Sequence, residues 1–157
     1  MASFDDDDES HSLRGVIDRK SLLDVRDIAE TQEPLATAEL DDYIDPSELT
    51  ITLDDGIGDH TTGRFGVRWS TEDDYNIHYS DPSHDFRWDV HLHSYTEPDD
   101  DGHHHPPPRA SNDDDDVEDT CIEVRDVETV SRAVLKAWRH AYENDSLDVI
   151  NGLENPP

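Results

Sequence analysis

The chain has 157 residues, enough for one modest domain with tails but too few for a multidomain enzyme. Its 41 acidic residues against 12 basic ones give a formal charge of −29, and only 32% of residues are hydrophobic. This composition favours a core of about 80 to 100 residues surrounded by solvated acidic segments. A single cysteine, Cys121, excludes an internal disulfide framework and a multi-cysteine zinc site.

The apolar content, the N-terminal residues and the type of basic residue predict where in the cell the protein is found. No window approaches the roughly 20 apolar residues of a membrane span, and the N-terminus lacks the basic and apolar regions of a signal peptide. Ten of the 12 basic residues are arginine, a bias that, with the acidic excess, is typical of cytosolic proteins of salt-loving archaea. We therefore expect a cytoplasmic halophilic protein without membrane contact, in which the aspartate runs mainly serve solvation.

In chain order, residues 1–12 are predicted to be an acidic tail, and residues 13–47 a helical and linker segment. Ser21 is predicted to cap a short helix, whose apolar stripe ends before Pro34. The range 48–143 is predicted to be the single domain. Its first strand follows Glu48, where every second residue is apolar.

Three further strands alternate clearly between apolar and polar residues. They are separated by segments of hairpin length, which predicts an antiparallel meander with one apolar face. The apolar positions are Phe65, Val67, Trp69, Tyr75, Ile77, Tyr79, Phe86, Trp88, Val90 and Leu92.

The remaining segments are less regular. Residues 94–119 are predicted to be a long acidic, histidine-rich and proline-rich loop, and Cys121 to Val124 a short edge strand. Asp126 then caps a helix whose apolar residues recur at spacings of three and four. Residues 144–157 are predicted to be a tail. The expected fold is α+β: a meander of four to five strands packed on one C-terminal helix, with a short N-terminal helix and disordered acidic tails.

The polar face of the meander carries the candidate site. Residues 60–95 hold three arginines against six acidic residues, so cations are retained there within a very acidic chain. Arginine can bind phosphate oxygens and histidine can transfer protons near neutral pH. The predicted catalytic residues are Arg68, His78, Arg87, Asp89 and His91.

In this hypothesis Arg68 and Arg87 hold phosphate, His78 or His91 acts as general base and acid, and Asp89 orients an imidazole. Further binding residues are predicted near the prolines. Pro106 to Pro108 should form an extended segment, which presents the imidazoles that precede it at the sheet edge. These predicted binding residues are His93, His103, His104 and His105.

Two alternatives stay open. In the first, the polar face serves only for cross-strand charge pairing or for docking a protein partner without catalysis. His91 and His93 could instead share a metal ion, with the later histidines completing the site, although the leading hypothesis assigns neither metal nor cofactor.

One combination of motifs resembles a known family. A strand ending in Trp88-Asp89 is followed by a histidine-rich turn and by a helix that begins with D-V-E-T-V at residues 126–130. This order over residues 48–143 resembles the TumE-type toxins of prokaryotic toxin-antitoxin modules, particularly haloarchaeal relatives. The resemblance implies a growth-inhibiting protein encoded beside an antitoxin, often a helix-turn-helix DNA-binding protein. Together with the polar face it favours action on RNA or nucleotide phosphates, as a ribonuclease or another phosphate-directed toxin.

Overall fold

The computed structural model describes residues 12–93 and 101–154 and contains two helices and one six-stranded sheet. The helices are α1 (Arg19–Gln32) and α2 (Val127–Asn144). The strands are β1 (Ala36–Leu40), β2 (Leu49–Leu53), β3 (Gly63–Trp69), β4 (Tyr75–Ser80), β5 (Asp85–Val90) and β6 (Gly102–His105). All neighbouring strands are antiparallel and follow chain order. The α+β fold with an antiparallel meander is therefore confirmed, with six strands where the sequence predicts four to five.

The central strands follow the predicted alternation. In β3, β4 and β5 the predicted apolar positions from Phe65 to Val90 are at most 3% exposed, and they pair across the sheet, as Ile77 does with Trp88. Leu92 differs, because β5 ends at Val90 and the Leu92 side chain is 53% exposed.

The two edge strands β1 and β6 extend the predicted meander. Strand β6 lies within the range 94–119 for which an irregular loop is predicted, and it pairs with β5 through His103 opposite Asp89. The edge strand predicted at Cys121 to Val124 is wrong: the chain there forms no strand. The position beside β5 is occupied by β6, so Cys121 and Ile122 are buried without joining the sheet.

Both predicted helices are present, but α1 begins at Arg19, so the predicted cap Ser21 lies inside the helix and Asp18 holds the N-cap position. The Asp126 side chain accepts a hydrogen bond from the Thr129 backbone N–H at 3.0 Å and so caps α2. An ion pair joins α2 to the end of α1: Arg139 Nε lies 2.9 Å from the buried carboxylate of Glu33, the residue that follows α1. The core contains these helix residues: Leu22, Val25, Ala29, Val130, Ala133, Val134, Leu135, Ala137, Trp138 and Ala141.

Side chains outside the range 48–143 also enter the core. Leu22 of α1 is fully buried, and Leu147 and Ile150 of the segment predicted as a tail are 7% and 4% exposed. The boundaries at 48 and 143 remain a prediction.

The acidic runs differ in what the structure describes. Residues 1–11, including Asp5 to Asp8, lie outside the described residues. Asp114–Asp116 form one 3-10 turn with exposed side chains. Among the helices of the described ranges, none combines the length and apolar character needed to cross a membrane.

The lone thiol gives a first prediction. Cys121 is 8% exposed, and burial raises the pKa of its thiol to about 11. Because the thiolate is the reactive form, native protein at neutral pH should react slowly with an aromatic disulfide reagent, and denatured protein quickly. Time courses with and without denaturant measure this; rapid stoichiometric labelling of native protein would contradict it.

Candidate functional site

The outer face of the sheet, opposite the helices, brings the predicted polar residues into register. Arg87 of β5 lies opposite His78 of β4 on one side and opposite His105 of β6 on the other. Asp89 likewise lies between Asn76 and His103. Directly opposed residues have Cβ atoms about 5 Å apart, so these side chains share one surface.

Asp89 is the centre of a buried group of polar side chains. Its Oδ2 accepts a hydrogen bond from Arg87 Nε at 2.7 Å, and its Oδ1 accepts one from Asn76 Nδ2 at 2.9 Å. Three imidazoles also point at Oδ2, with Nε2 of His91, His103 and His105 at 3.5, 3.5 and 3.2 Å. We call Arg87, Asp89, His91, His103 and His105 the Asp89 cluster.

Charge within the Asp89 cluster keeps the carboxylate ionised. Burial alone would raise the pKa of Asp89, but the hydrogen bonds of the three imidazoles and the charge of Arg87 hold that pKa well below its usual value. Burial also lowers the pKa of His103, against the opposing effect of Asp89.

Backbone carbonyls fix how the three imidazoles are oriented. Nδ1 lies 2.7 Å from the Leu92 oxygen in His91, 3.0 Å from the Asp101 oxygen in His103 and 2.8 Å from the Ser111 oxygen in His105. A carbonyl only accepts hydrogen bonds, so each Nδ1 carries a proton and donates. Nε2 donates to Asp89 when the ring is protonated and presents its lone pair towards Asp89 when the ring is neutral.

Arg87 connects the buried cluster to the surface. Its Nη2 lies 3.1 Å from His105 Nε2 and donates to Asn112 Oδ1 at 2.6 Å, and its side chain is 23% exposed. Asn112 was missed by the sequence analysis, since it lies in an irregular segment without periodicity.

His78 forms a second, open arrangement beside Arg87. Its Nε2 lies 3.0 Å from Asp85 Oδ1, and the same oxygen accepts a 2.6 Å hydrogen bond from the Ser80 hydroxyl. The His78 side chain is 41% exposed, whereas His91 is 2% exposed. Of the two imidazoles predicted for proton transfer, His78 is therefore the accessible one.

Arg68 lies apart from the Asp89 cluster. Its exposed side chain lines an open cavity of about 840 Å³, which Asn76 and Arg19 also line. Asn76 lines the same cavity as Arg68 and donates a hydrogen bond to Asp89, so it connects this cavity to the Asp89 cluster.

The structure separates the predicted binding histidines. The His93 ring lies 4.6 Å from the His103 ring, beside the Asp89 cluster. His104 instead faces the core, 5.1 Å from the Trp88 ring, because alternation in β6 turns it away from His103 and His105. Burial lowers the pKa of His104 to about 3, so it is neutral. His104 therefore does not share the outer face with His103 and His105, and its role as a binding residue remains a prediction.

Two groups within the described ranges have ligand atoms close enough to hold a metal ion. Asp89, His103 and His105 form a buried group with these atoms within 4.8 Å of one another. The second group, His60, Asp81 and His84, is partly exposed, and Asp81 Oδ1 already accepts hydrogen bonds from the backbone N–H groups of Ser83 and His84.

Comparison with known proteins supports one family. A family model described as Toxin TumE matches residues 24–141, about three quarters of the chain. No curated protein and no solved structure shows significant similarity to this chain.

Proposed function

Because the chain belongs to the TumE toxin family, we propose that it acts as a toxin on RNA or nucleotide phosphates through the outer face of its sheet. The observation that carries this proposal is the register of His78 beside Arg87, two partly exposed side chains that are each oriented by a carboxylate. An imidazole beside a guanidinium supplies proton transfer and charge stabilisation at one phosphodiester.

The guanidinium of Arg87 is the proposed phosphate-binding group. Asp89 fixes its orientation through Nε, and Asn112 holds Nη2 at the surface. A planar guanidinium held in this way can bind phosphate oxygens with little further loss of side-chain freedom. Arg68, which lines the adjoining cavity, is proposed to hold a second phosphate of a longer substrate.

His78 is the proposed general base and acid. Asp85 contacts Nε2, which orients the ring, and the exposure of the side chain allows contact with substrate. His91 was the other candidate for this role; its burial beneath the surface supports a structural role in holding Asp89 instead.

The family implies a cognate antitoxin as partner. We propose that this antitoxin is a helix-turn-helix DNA-binding protein and that both act in the cytoplasm, where RNA is available. The acidic composition supports a host with high internal salt, because at near-molar salt the Debye length is about 3 Å and a charge of −29 repels RNA weakly.

Induced expression in a salt-tolerant host without the antitoxin gene tests the proposal. Wild-type protein should arrest growth, and His78→Ala and Arg87→Gln should relieve the arrest. Loss of general acid-base catalysis should reduce RNA cleavage by purified protein about 100-fold or more. Near-ultraviolet circular dichroism from Trp69, Trp88 and Trp138 should show that both variants remain folded.

Arg132→Ala is the matched control, since Arg132 is an exposed arginine on α2 away from the outer face. This variant should arrest growth as wild type does. Full toxicity of both His78→Ala and Arg87→Gln would contradict catalysis and favour a noncatalytic module that docks a protein partner.

A further inference from the structure

We propose that Asp89, His103 and His105 bind a divalent first-row transition metal ion, of which zinc fits best, and that His91, which lies outside this close group of ligand atoms, turns towards the ion as the fourth ligand. The proposal concerns the buried part of the Asp89 cluster and does not rest on the proposed reaction at His78. It is argued from the distances between Asp89 Oδ2 and the three imidazole nitrogens, from the orientation of the imidazoles and from the balance of charge.

The spacing matches coordination better than hydrogen bonding. Zinc bonds to imidazole nitrogen and carboxylate oxygen are about 2.0 to 2.2 Å long, so neighbouring ligand atoms of a tetrahedral site lie about 3.4 Å apart. The Nε2 atoms of His91, His103 and His105 lie 3.5, 3.5 and 3.2 Å from Asp89 Oδ2. An ordinary N–H···O hydrogen bond has its atoms about 2.9 Å apart.

The orientation of the rings has the form seen around metal ligands. In each of His91, His103 and His105, Nδ1 donates to a backbone carbonyl, so Nε2 of the neutral ring turns its lone pair inward. Such an outer hydrogen bond is the usual way in which proteins fix the tautomer of a ligating histidine.

Arg87 supplies independent evidence that His105 Nε2 acts as a lone-pair donor. Guanidinium nitrogens carry only protons to donate, and Nη2 lies 3.1 Å from His105 Nε2 while Nε lies 2.7 Å from Asp89 Oδ2. The guanidinium thus contacts two atoms that a metal ion would take, and it acts as a competing cation.

Charge favours a metal over protonation of the imidazoles. If all three rings were protonated, four positive charges including Arg87 would surround one carboxylate in a site where Asp89 is 1% exposed. One divalent ion bound to three neutral imidazoles and one carboxylate leaves a smaller net positive charge than the fully protonated cluster has. Three nitrogen ligands and one oxygen ligand suit zinc, and similar ions such as Co²⁺.

The experiment uses the full chain, treated with a chelator and dialysed, then titrated with Co²⁺ and in competition with Zn²⁺. Wild-type protein should bind one equivalent and give the intense visible absorption of four-coordinate Co²⁺. His103→Ala and His105→Ala should weaken binding about 100-fold or more, since loss of even an outer partner costs 10-fold to 100-fold. Arg87→Gln should tighten binding roughly tenfold or more, because a charged hydrogen-bond competitor is removed.

His78→Ala and His84→Ala are matched controls that remove a histidine outside the proposed ligand set. Both should keep one equivalent with unchanged affinity. The proposal is overturned if wild-type protein binds no stoichiometric metal, if His103→Ala and His105→Ala both retain it, or if His84→Ala loses it. Should the ligand variants fail to fold, the wild-type Co²⁺ spectrum and the Arg87→Gln affinity decide, and absence of both expected results overturns the proposal.

Discussion

Trp88→Ala should lower the free energy of unfolding by about 3 to 5 kcal/mol, as truncation of a buried tryptophan generally does. Trp88 is fully buried, its ring lies 5.3 Å from Phe86 and 5.1 Å from His104, and its Nε1 donates to Asn151 at 3.0 Å. A loss of this size is a large part of the stability of a typical small domain. Chemical denaturation at fixed high salt measures it.

Trp88→Phe is the conservative control, because it keeps an aromatic ring and loses chiefly the hydrogen bond to Asn151. This variant should lose about 1 to 2 kcal/mol. A change below about 1 kcal/mol in Trp88→Ala would contradict the burial described for this ring.

The same variant separates two routes to loss of toxicity. Trp88→Ala should relieve growth arrest together with loss of the near-ultraviolet signal, whereas His78→Ala should relieve arrest with that signal intact. Trp88 lies on the core side of β5 and Arg87 on the outer side. Substitution of Trp88 should therefore give an unfolded inactive protein, and substitution of its neighbour Arg87 a folded inactive one.

The central sheet could be predicted because its two faces differ in chemistry. Alternation of large apolar residues from Phe65 to Val90 specifies which face is buried, and hairpin-length turns leave few other pairings. The same alternation placed His78, Arg87 and Asp89 together, since cross-strand neighbours on one face must meet.

Strand β6 was missed because its pattern does not use aliphatic residues. Gly102–His105 reads as a run of histidines, and only the structure distinguishes His104, which faces Trp88, from its two neighbours, which face Asp89. The sequence predicts a single binding loop for His103, His104 and His105, whereas the period-two geometry of a strand divides them between two environments.

The sequence also does not predict that the Asp89 cluster is buried. A residue outward on a sheet is expected to face solvent, yet His91, His103 and His105 are at most 2% exposed. Irregular segments cover these side chains and accept hydrogen bonds from them, as the Ser111 carbonyl does from His105. Such segments have no periodic sequence pattern from which their course could be predicted. Prediction from periodicity therefore found which residues meet but not how they are enclosed.

Asn151→Ala should lower the free energy of unfolding by about 2 to 4 kcal/mol, although it lies in the segment predicted to be a tail. Its Oδ1 accepts from Trp88 Nε1 at 3.0 Å and from the Cys121 backbone N–H at 2.8 Å. Its Nδ2 donates to Glu118 Oε1 at 3.0 Å and to the Asp119 carbonyl at 2.7 Å. Removal of the amide leaves two buried donors without their acceptor, which costs more than the loss of an exposed hydrogen bond.

Asn144→Ala is the matched control for this change. Asn144 is exposed at the end of α2, and its Nδ2 makes one hydrogen bond, to the His140 carbonyl at 2.8 Å. Its replacement should change stability by less than about 0.5 kcal/mol. Equal denaturation midpoints for both variants would contradict the stabilising role of the Asn151 amide. A loss confined to Asn151→Ala would extend the domain beyond the predicted boundary at residue 143, because the hydrogen bonds of Asn151 join this segment to the core at Trp88.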